Sequence, residues 1–339
     1  MPAEWEKQKS TWIAWPHNKK DWPGKFNEIP WIFSKIITEL SKVQSVNILV
    51  KNNSDLKSVN FFLDTFRAKI KNIRLITCKT DRAWTRDFLP IFIKDKNRQK
   101  VISKWEFNGW AKYKNFKNDN KAFLKINKFK KFKVVKPKYN KKKIILEGGS
   151  IDVNGDGLLL TTMQCLLSKI QRRNKGLSKL DYYQIFKKFF GTKKIIWLNK
   201  GIYGDDTHGH IDDIARFVSK NKIFMAIEKN RGDKNYRNLK ENIEIVKKFN
   251  KENRKKLKII CIPMPEPKFI NGIRLPASYL NFYIANKVVL VPSFNDPKDK
   301  VILNIFKKHF KKRKVILIDC SILVWGFGTI HCMTQQEPI

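Results

Sequence analysis

A chain of 339 residues with 42% hydrophobic and 12% aromatic side chains can bury a core, and it carries no low-complexity tract, which excludes a disordered polymer. No run of about 18 apolar residues occurs, and the opening MPAEWEKQKSTWIAWP lacks an apolar h-region, so neither a membrane span nor an export signal is expected. The net charge of +41 (71 Lys+Arg less 30 Asp+Glu) points first to nucleic acid, but 58 of the basic residues are Lys and 13 Arg, beside much Ile, Asn and Phe; AT-rich coding and a solvated lysine surface is the stronger reading.

Apolar residues recur at three- and four-residue spacing over 30–43, 55–69, 177–190, 236–254 and 298–310, which predicts five helices. Short β-like runs lie between them at 45–50, 72–77, 89–94, 101–107, 158–162, 194–198 and 258–263. Two hairpins are expected, in ARFVSKNKIFMAI around Asn221 and in NFYIANKVVLV around Asn286. Hairpins interleaved with helices give a mixed α/β chain and disfavour a doubly wound parallel sheet. No Pro/Gly/Ser-rich linker divides it, and the lysine-rich stretch 112–143 reads as exposed helix and loops, so residues 1–339 are expected to form one domain.

Four segments carry chemistry. Asp81-Arg-Ala-Trp-Thr-Arg-Asp87 follows the apolar run that ends at Cys78, and such strand ends commonly hold site residues. Asp152-Val-Asn-Gly-Asp-Gly157 imitates the start of a calcium loop, but its twelfth position is Met163, so a tight β-turn is expected instead. In 204–213 the side chains of His208, His210 and Asp212 alternate and would share one side of an extended chain. That spacing suits a metal, yet Asp213 stands where an H-x-H-x-D-H pattern has a third His and no second ligand cluster is visible; a metal-dependent hydrolase is the lesser reading. Finally, Cys332 follows a Gly-rich turn (Trp325 to Gly328) and adjoins His331. The five cysteines are widely spaced without a C-x-x-C pair, as expected of reduced thiols in a cytoplasm, and Cys78, Cys165 and Cys261, in apolar runs, read as core residues.

Lys and Arg are absent from 144–168, 201–215 and 315–339, where the Gly, His, Cys and Asp residues concentrate. Carboxylates beside a cysteine nucleophile raise its pKa, which makes sense when the substrate is a cation that neutralises them. A guanidinium offers a fork of N–H donors matching two carboxylates, with an electrophilic carbon at its centre. A nucleophilic Cys332 would need a nearby His or a cationic substrate to stabilise its anion; His210 is the candidate partner, with His331 open as well.

The motifs MPAEW, TWIAWPHN, DWPGKF, WTRD, LEGGSID, QCLL, GDDTHGHIDD, LPASY, NFYIAN and IHC resemble, over nearly the whole chain, the agmatine deiminase branch of the agmatine/peptidylarginine deiminase family. The resemblance implies the pentein fold, a pseudo-fivefold α/β propeller of ββαβ units; no fivefold repeat is visible in the sequence itself. It implies Cys332 as nucleophile, His210 as general acid/base, and Asp87 with Asp212 as the guanidinium-binding pair, in a reaction free of metal and cofactor that passes through a thiouronium intermediate. Trp84, Glu147, Gly148 and Gly149 match motif positions near the site and are given a lining role, and Asp205 or Asp206 is the guess for a partner of the substrate's terminal amine. The expected partner is a small guanidine, agmatine first, hydrolysed to N-carbamoylputrescine and ammonia for polyamine formation; no membrane is implied, and a homo-oligomer is left open. Arginine or peptidylarginine is the alternative substrate, and a basic nucleic-acid binder on an inactive scaffold the alternative class. His208, Thr329 and Phe88-Leu89 depart from the family's commoner residues and bear on the substrate's tail.

Overall fold

Four times along the chain an antiparallel strand pair is followed by a helix and a third strand parallel to the second. The computed structural model describes residues 1–254 and 256–339. The four units comprise strands Ile91–Lys94, Lys100–Ser103 and Lys133–Val135 around helix Lys117–Lys130; strands Asp152–Val153, Leu158–Thr162 and Lys194–Leu198 around helix Lys179–Phe190; strands Ala215–Ser219, Lys222–Ile227 and Lys258–Pro263 around helix Tyr236–Glu252; and strands Tyr283–Ile284, Val288–Ser293 and Lys314–Asp319 around helix Asp299–His309. The chain ends build the fifth. Gln335–Pro338 pairs antiparallel with Gln8–Ala14, helix Ile29–Ser41 follows, and Ser45–Val50 returns parallel, extended by helix Asn53–Thr65 and strand Ile73–Thr77. Five ββαβ units are the pentein architecture, and the fivefold repeat lies in strand order rather than in sequence.

Local signals explain several elements. Ser178 caps helix Lys179–Phe190 reciprocally with Asp181 (2.8 and 3.2 Å), and Gly191, at φ +70°, takes the left-handed conformation that ends it. The middle strand Val288–Ser293 is buried throughout, as a strand flanked on both edges and packed on both faces must be, so it reads as an unbroken apolar run. The Asp152–Gly157 segment is the expected turn, joining Asp152–Val153 to Leu158–Thr162.

All five expected helices form; Lys179–Phe190 ends where the apolar pattern ends, and the other four stop one to four residues short of it. Four strands of the five units were not expected, among them Lys133–Val135 in the lysine-rich stretch read as helix and loops. Gln8–Ala14 and Gln335–Pro338 are polar where they start and acquire their partners only when the two chain ends meet; Lys314–Asp319 is a short apolar run directly after a helix, which periodicity alone does not separate. Cys261 is a correction: it is exposed, because Lys258–Pro263 is an edge strand paired only to Lys222–Ile227 and turns alternate residues outward. Cys78 and Cys165 are buried as expected. Among the described residues no helix is long and apolar enough to cross a membrane.

Candidate active site

Loops and short turns between the strands bring the four expected residues together. Asp87 lies in the single helical turn Thr85–Phe88, beyond strand Ile73–Thr77. That turn is tied to the last loop of the chain: Thr85 Oγ1 donates to the carbonyls of Trp12 (3.1 Å) and Met333 (2.8 Å), and the Arg86 N–H donates to Cys332 O (3.1 Å). The Arg86 side chain points away from Asp87, toward Glu4 and Gln336.

Segment 204–213 is not extended, which corrects the expectation that His208, His210 and Asp212 share one side. Gly204 (φ +94°), His208 (φ +67°) and Gly209 (φ +93°) reverse the chain, and Ile211–Asp213 forms a 3-10 turn. His208 turns outward to the Ser168 hydroxyl (3.1 Å), whereas His210 and Asp212 face Asp87. The Asp205 carboxylate holds this loop by accepting from the backbone N–H groups of Thr207 (2.8 Å), Gly209 (2.7 Å) and His210 (3.0 Å), so it is occupied as a cap.

Asp87 accepts from the Gly149 N–H (2.9 Å) and from Trp110 Nε1 (2.8 Å). His210 Nδ1 stands 3.8 Å from Asp87 Oδ2 and 3.9 Å from Asp212 Oδ1, and its Nε2 stands 3.8 Å from Glu147 Oε2. These distances exceed a hydrogen bond. Both ring nitrogens and Asp212 Oδ1 are buried with no hydrogen-bond partner among the described residues; Nδ1 and Asp212 Oδ1 face each other beside Asp87, while Nε2 is turned toward Glu147. Glu147 sits behind His210, where Arg173 Nε donates to both its oxygens (3.1 and 3.3 Å). Glycine is required here by crowding: a Cβ on Gly149 would lie 2.6 Å from His210 Nδ1, and one on Gly148 would lie 2.4 Å from the Arg86 carbonyl oxygen.

Cys332 is held by Asn281, a residue the sequence reading did not single out. Its Nδ2 lies 3.2 Å from Sγ, and its Oδ1 accepts from the N–H groups of Thr329 (3.3 Å), His331 (3.1 Å) and Cys332 (3.3 Å), organising the whole loop. Cys332 Sγ is 3.8 Å from Asp212 Oδ2. His331 turns away from the thiol and lies between Asp212 Oδ2 (2.7 Å) and Glu4 Oε2 (2.8 Å). Trp110, Arg173 and Glu4 were likewise missed; the placement of Glu4 in MPAEW and of Asn281 in NFYIAN was the signal available.

The electrostatics follow from burial. The Cys332 thiol is pushed well above its usual value by burial and by Asp212, Asp213 and Asp87, with Asn281 opposing. Burial pushes Asp87 up to about 6, reinforced by Asp212 and Glu147 and opposed chiefly by His210. Burial disfavours a charged His210, but Asp87, Cys165 and Glu147 outweigh it and raise the imidazole well above its usual value. Burial also opposes the charge on Glu147, yet Arg173 and His210 hold that carboxyl down at about 2.

A cleft of about 600 Å³ opens onto Cys332 and Asp87 between Trp84, Trp110, Tyr113 and Trp325, with Asp21 and Asp206 further out. Trp84 both lines it and packs on Trp22 (centroids 5.4 Å apart). A second depression of about 610 Å³, beneath Met1 and Phe190 among Lys94, Lys133, Lys188 and Lys193, contains none of the site residues. The donor set with metal potential is Glu147, Cys165 and His210, whose ligand atoms lie within 4.8 Å of one another. Arg173 already neutralises the Glu147 carboxylate, which works against a cation at that point.

A thiol, an imidazole and two carboxylates around unsatisfied polar atoms can hold a planar cation and attack it. The family model of Porphyromonas-type peptidyl-arginine deiminase matches residues 1–338. The chain belongs to this family. Agmatine deiminase of Pseudomonas aeruginosa (strain LESB58) is 28% identical over 363 residues, covering 100% of this chain and 95% of that protein. Among solved structures, a Cys-to-Ser agmatine deiminase from C. jejuni with substrate bound superposes with a TM-score of 0.88 at 32% identity, covering 99% of this chain and 95% of that one. Agmatine deiminase of Enterococcus faecalis superposes with a TM-score of 0.89 at 26% identity, covering 100% and 95%.

Proposed function

We propose that residues 1–339 act as one catalytic domain that hydrolyses the guanidinium of agmatine to N-carbamoylputrescine and ammonia, a step toward putrescine. The observation that carries this reading is the pairing of His210 Nδ1 and Asp212 Oδ1, both buried and unsatisfied, beside Asp87, with Asp212 Oδ2 3.8 Å from the Cys332 sulfur. A guanidinium supplies N–H donors to both carboxylates and puts its carbon within reach of the thiol.

In this mechanism the bound cation neutralises Asp87 and Asp212, the carboxylates that disfavour the thiolate, so the Cys332 proton passes to solvent, and in the end to the released ammonia, only once substrate is in place. The thiolate attacks the guanidinium carbon. His210, held as the imidazolium by Asp87 and Glu147, protonates the departing nitrogen, and ammonia leaves a Cys332 thiouronium. The neutral imidazole then takes a proton from water as that water attacks; the C–S bond breaks, the ureido product leaves, and two easier steps replace one difficult substitution. No step calls for a metal. The tail of the substrate runs along the cleft, where Asp206 accepts from Tyr113 (2.5 Å) and Asp21 pairs through Oδ1 with Arg82 (2.5 Å) while its Oδ2 is unsatisfied. Two carboxylates in that position suit a terminal ammonium better than a carboxylate or peptide.

The test is ammonia release from agmatine, arginine and a blocked peptidylarginine in the presence of chelator, with Cys332→Ala alongside. Release from agmatine, spared by chelator and lowered at least about a thousandfold in Cys332→Ala, is expected. Release from arginine or the peptide alone would keep the thiol chemistry and discard the agmatine assignment.

A further inference from the structure

Asp212 owes its orientation to a residue at the far end of the chain. A carboxylate turns easily about its last torsion, and this one is buried beside the carboxyl groups of Asp87 and Asp213, so something must decide which oxygen faces the substrate. The donor that does so is His331 Nδ1, 2.7 Å from Oδ2; Oδ1 is left buried, unsatisfied and 3.9 Å from His210 Nδ1. The opposite ring nitrogen of His331 is 2.8 Å from Glu4 Oε2. An imidazole with a carboxylate oxygen at hydrogen-bond distance from each nitrogen needs a hydrogen on both, because a carboxylate only accepts. Rotating or flipping the ring would break both contacts, so Glu4 fixes the ring and, through it, the carboxylate beyond.

Glu4 is itself anchored. Its Oε1 accepts from Arg216 Nη2 (2.9 Å) and from the Ile284 N–H (2.9 Å), and Arg86 Nη2 is 3.3 Å from Oε2. The segment before the first strand is thereby tied to the active-site loop 327 residues away.

We propose that Glu4 is a positioning residue that acts through His331 to hold Asp212 with Oδ1 turned toward the guanidinium, so that the site is complete only when the first residues of the chain are docked. The proposal rests on the reading of Asp212 as a guanidinium acceptor. It differs from that reading in its residue: Glu4 touches neither the cleft nor the reacting atoms. The charged and titratable groups around the relay include Asp87, His210, Asp213 and Cys332 at the Asp212 end and Arg86, Arg216, Asp152, Tyr283 and Arg313 at the Glu4 end, and a substitution at Glu4 is read against all of them.

Two measurements on the full chain test it. In Glu4→Gln the neutral amide keeps the shape but loses the charge that favours a hydrogen on Nε2, so Asp212 is held less firmly. The KM for agmatine should rise about tenfold or more with kcat changed far less, and Glu4→Asp, which restores the charge, should recover part of the loss. A merely structural role would lower the active fraction and leave KM alone. With ¹⁵N-histidine, the nitrogen shifts of His331 should report hydrogens on both nitrogens in the parent protein and on one in Glu4→Gln. Because Glu4 also partners Arg216, Glu4→Gln risks misfolding; His331→Gln leaves those contacts in place and should raise KM in the same direction. A folded Glu4→Gln with the parent KM, an unchanged KM in His331→Gln, or a singly protonated His331 in the parent protein would each overturn the relay. Absence of ammonia release from every guanidine by the parent protein would instead sink the deiminase reading, while the nitrogen shifts still decide the relay.

Discussion

Asp87 shows how one buried carboxyl sets activity and stability against each other. Its pKa is pushed up from 3.8 to about 6, so between those values the folded protein binds a proton that the unfolded chain does not. The stability contribution of this group therefore grows as the pH falls through about 6 and is lost above it, whereas binding a guanidinium needs the ionised form. Below about pH 6, kcat/KM for agmatine should fall, approaching tenfold per pH unit. Over the same range the melting temperature of the parent protein should rise relative to Asp87→Asn, which has no proton to gain; parallel trends in both quantities would remove Asp87 as the group responsible. A second residue-scale expectation concerns the thiols. Cys332 is buried and its thiol is pushed well above the usual value, while Cys261 is exposed. Iodoacetamide near neutral pH should alkylate Cys261 first and leave activity intact, with Cys332 modified and activity lost only as the pH is raised. Peptide mapping beside residual activity checks this, and early labelling of Cys332 would mean that the free enzyme already holds a thiolate.

At the scale of elements, the turns decide the site more than the strands do. Gly149 lets the loop 147–149 approach so closely that its N–H reaches Asp87 while no Cβ intrudes on His210 or on Asp212 Oδ2, which would be 3.0 Å away. Gly149→Ala should preserve the fold and cut kcat about a hundredfold, since displacements on the order of 1 Å from reactive geometry cost that much; near-parent turnover would mean that the loop yields without moving the site. The same distinction explains what the sequence disclosed. The four expected residues were legible because each lies in a short motif with its own chemistry: WTRD, GHID and IHC put Asp87, His210, Asp212 and Cys332 on turns that the fold then gathers. Asn281, Trp110, Arg173 and Glu4 were not legible, because an amide, an indole, a buried guanidinium and a distant carboxylate acquire meaning only from partners 23 to 327 residues away. Segment 204–213 misled for a related reason: alternation implies a shared face only in extended chain, and three positive φ angles there reverse the backbone. The hairpins were legible, yet the fivefold repeat was not, since one unit is assembled from both ends of the chain.

For the whole molecule the unresolved tension is between a net charge of +41 and a cationic substrate. The two act over different ranges. Exposed lysines are screened beyond a Debye length of about 30 Å at 0.01 M salt and about 10 Å at 0.1 M, whereas Asp87, at the end of the cleft, and Asp212, buried beside Cys332, are screened much less. Salt should therefore weaken the repulsion of the surface before it weakens the attraction of the site. The KM for agmatine should fall several-fold as NaCl rises from about 10 to about 100 mM, with kcat steady. An alkylguanidine without the terminal amine carries half the charge, and because the interaction with a given field scales with ligand charge, the slope of log KM against salt should be about half as steep. Equal slopes for the two ligands would mean that salt acts on the protein rather than on the encounter. A KM that rises with salt would mean that the carboxylates of the cleft govern the potential beyond its mouth, so that the lysine surface does not reach the approaching substrate.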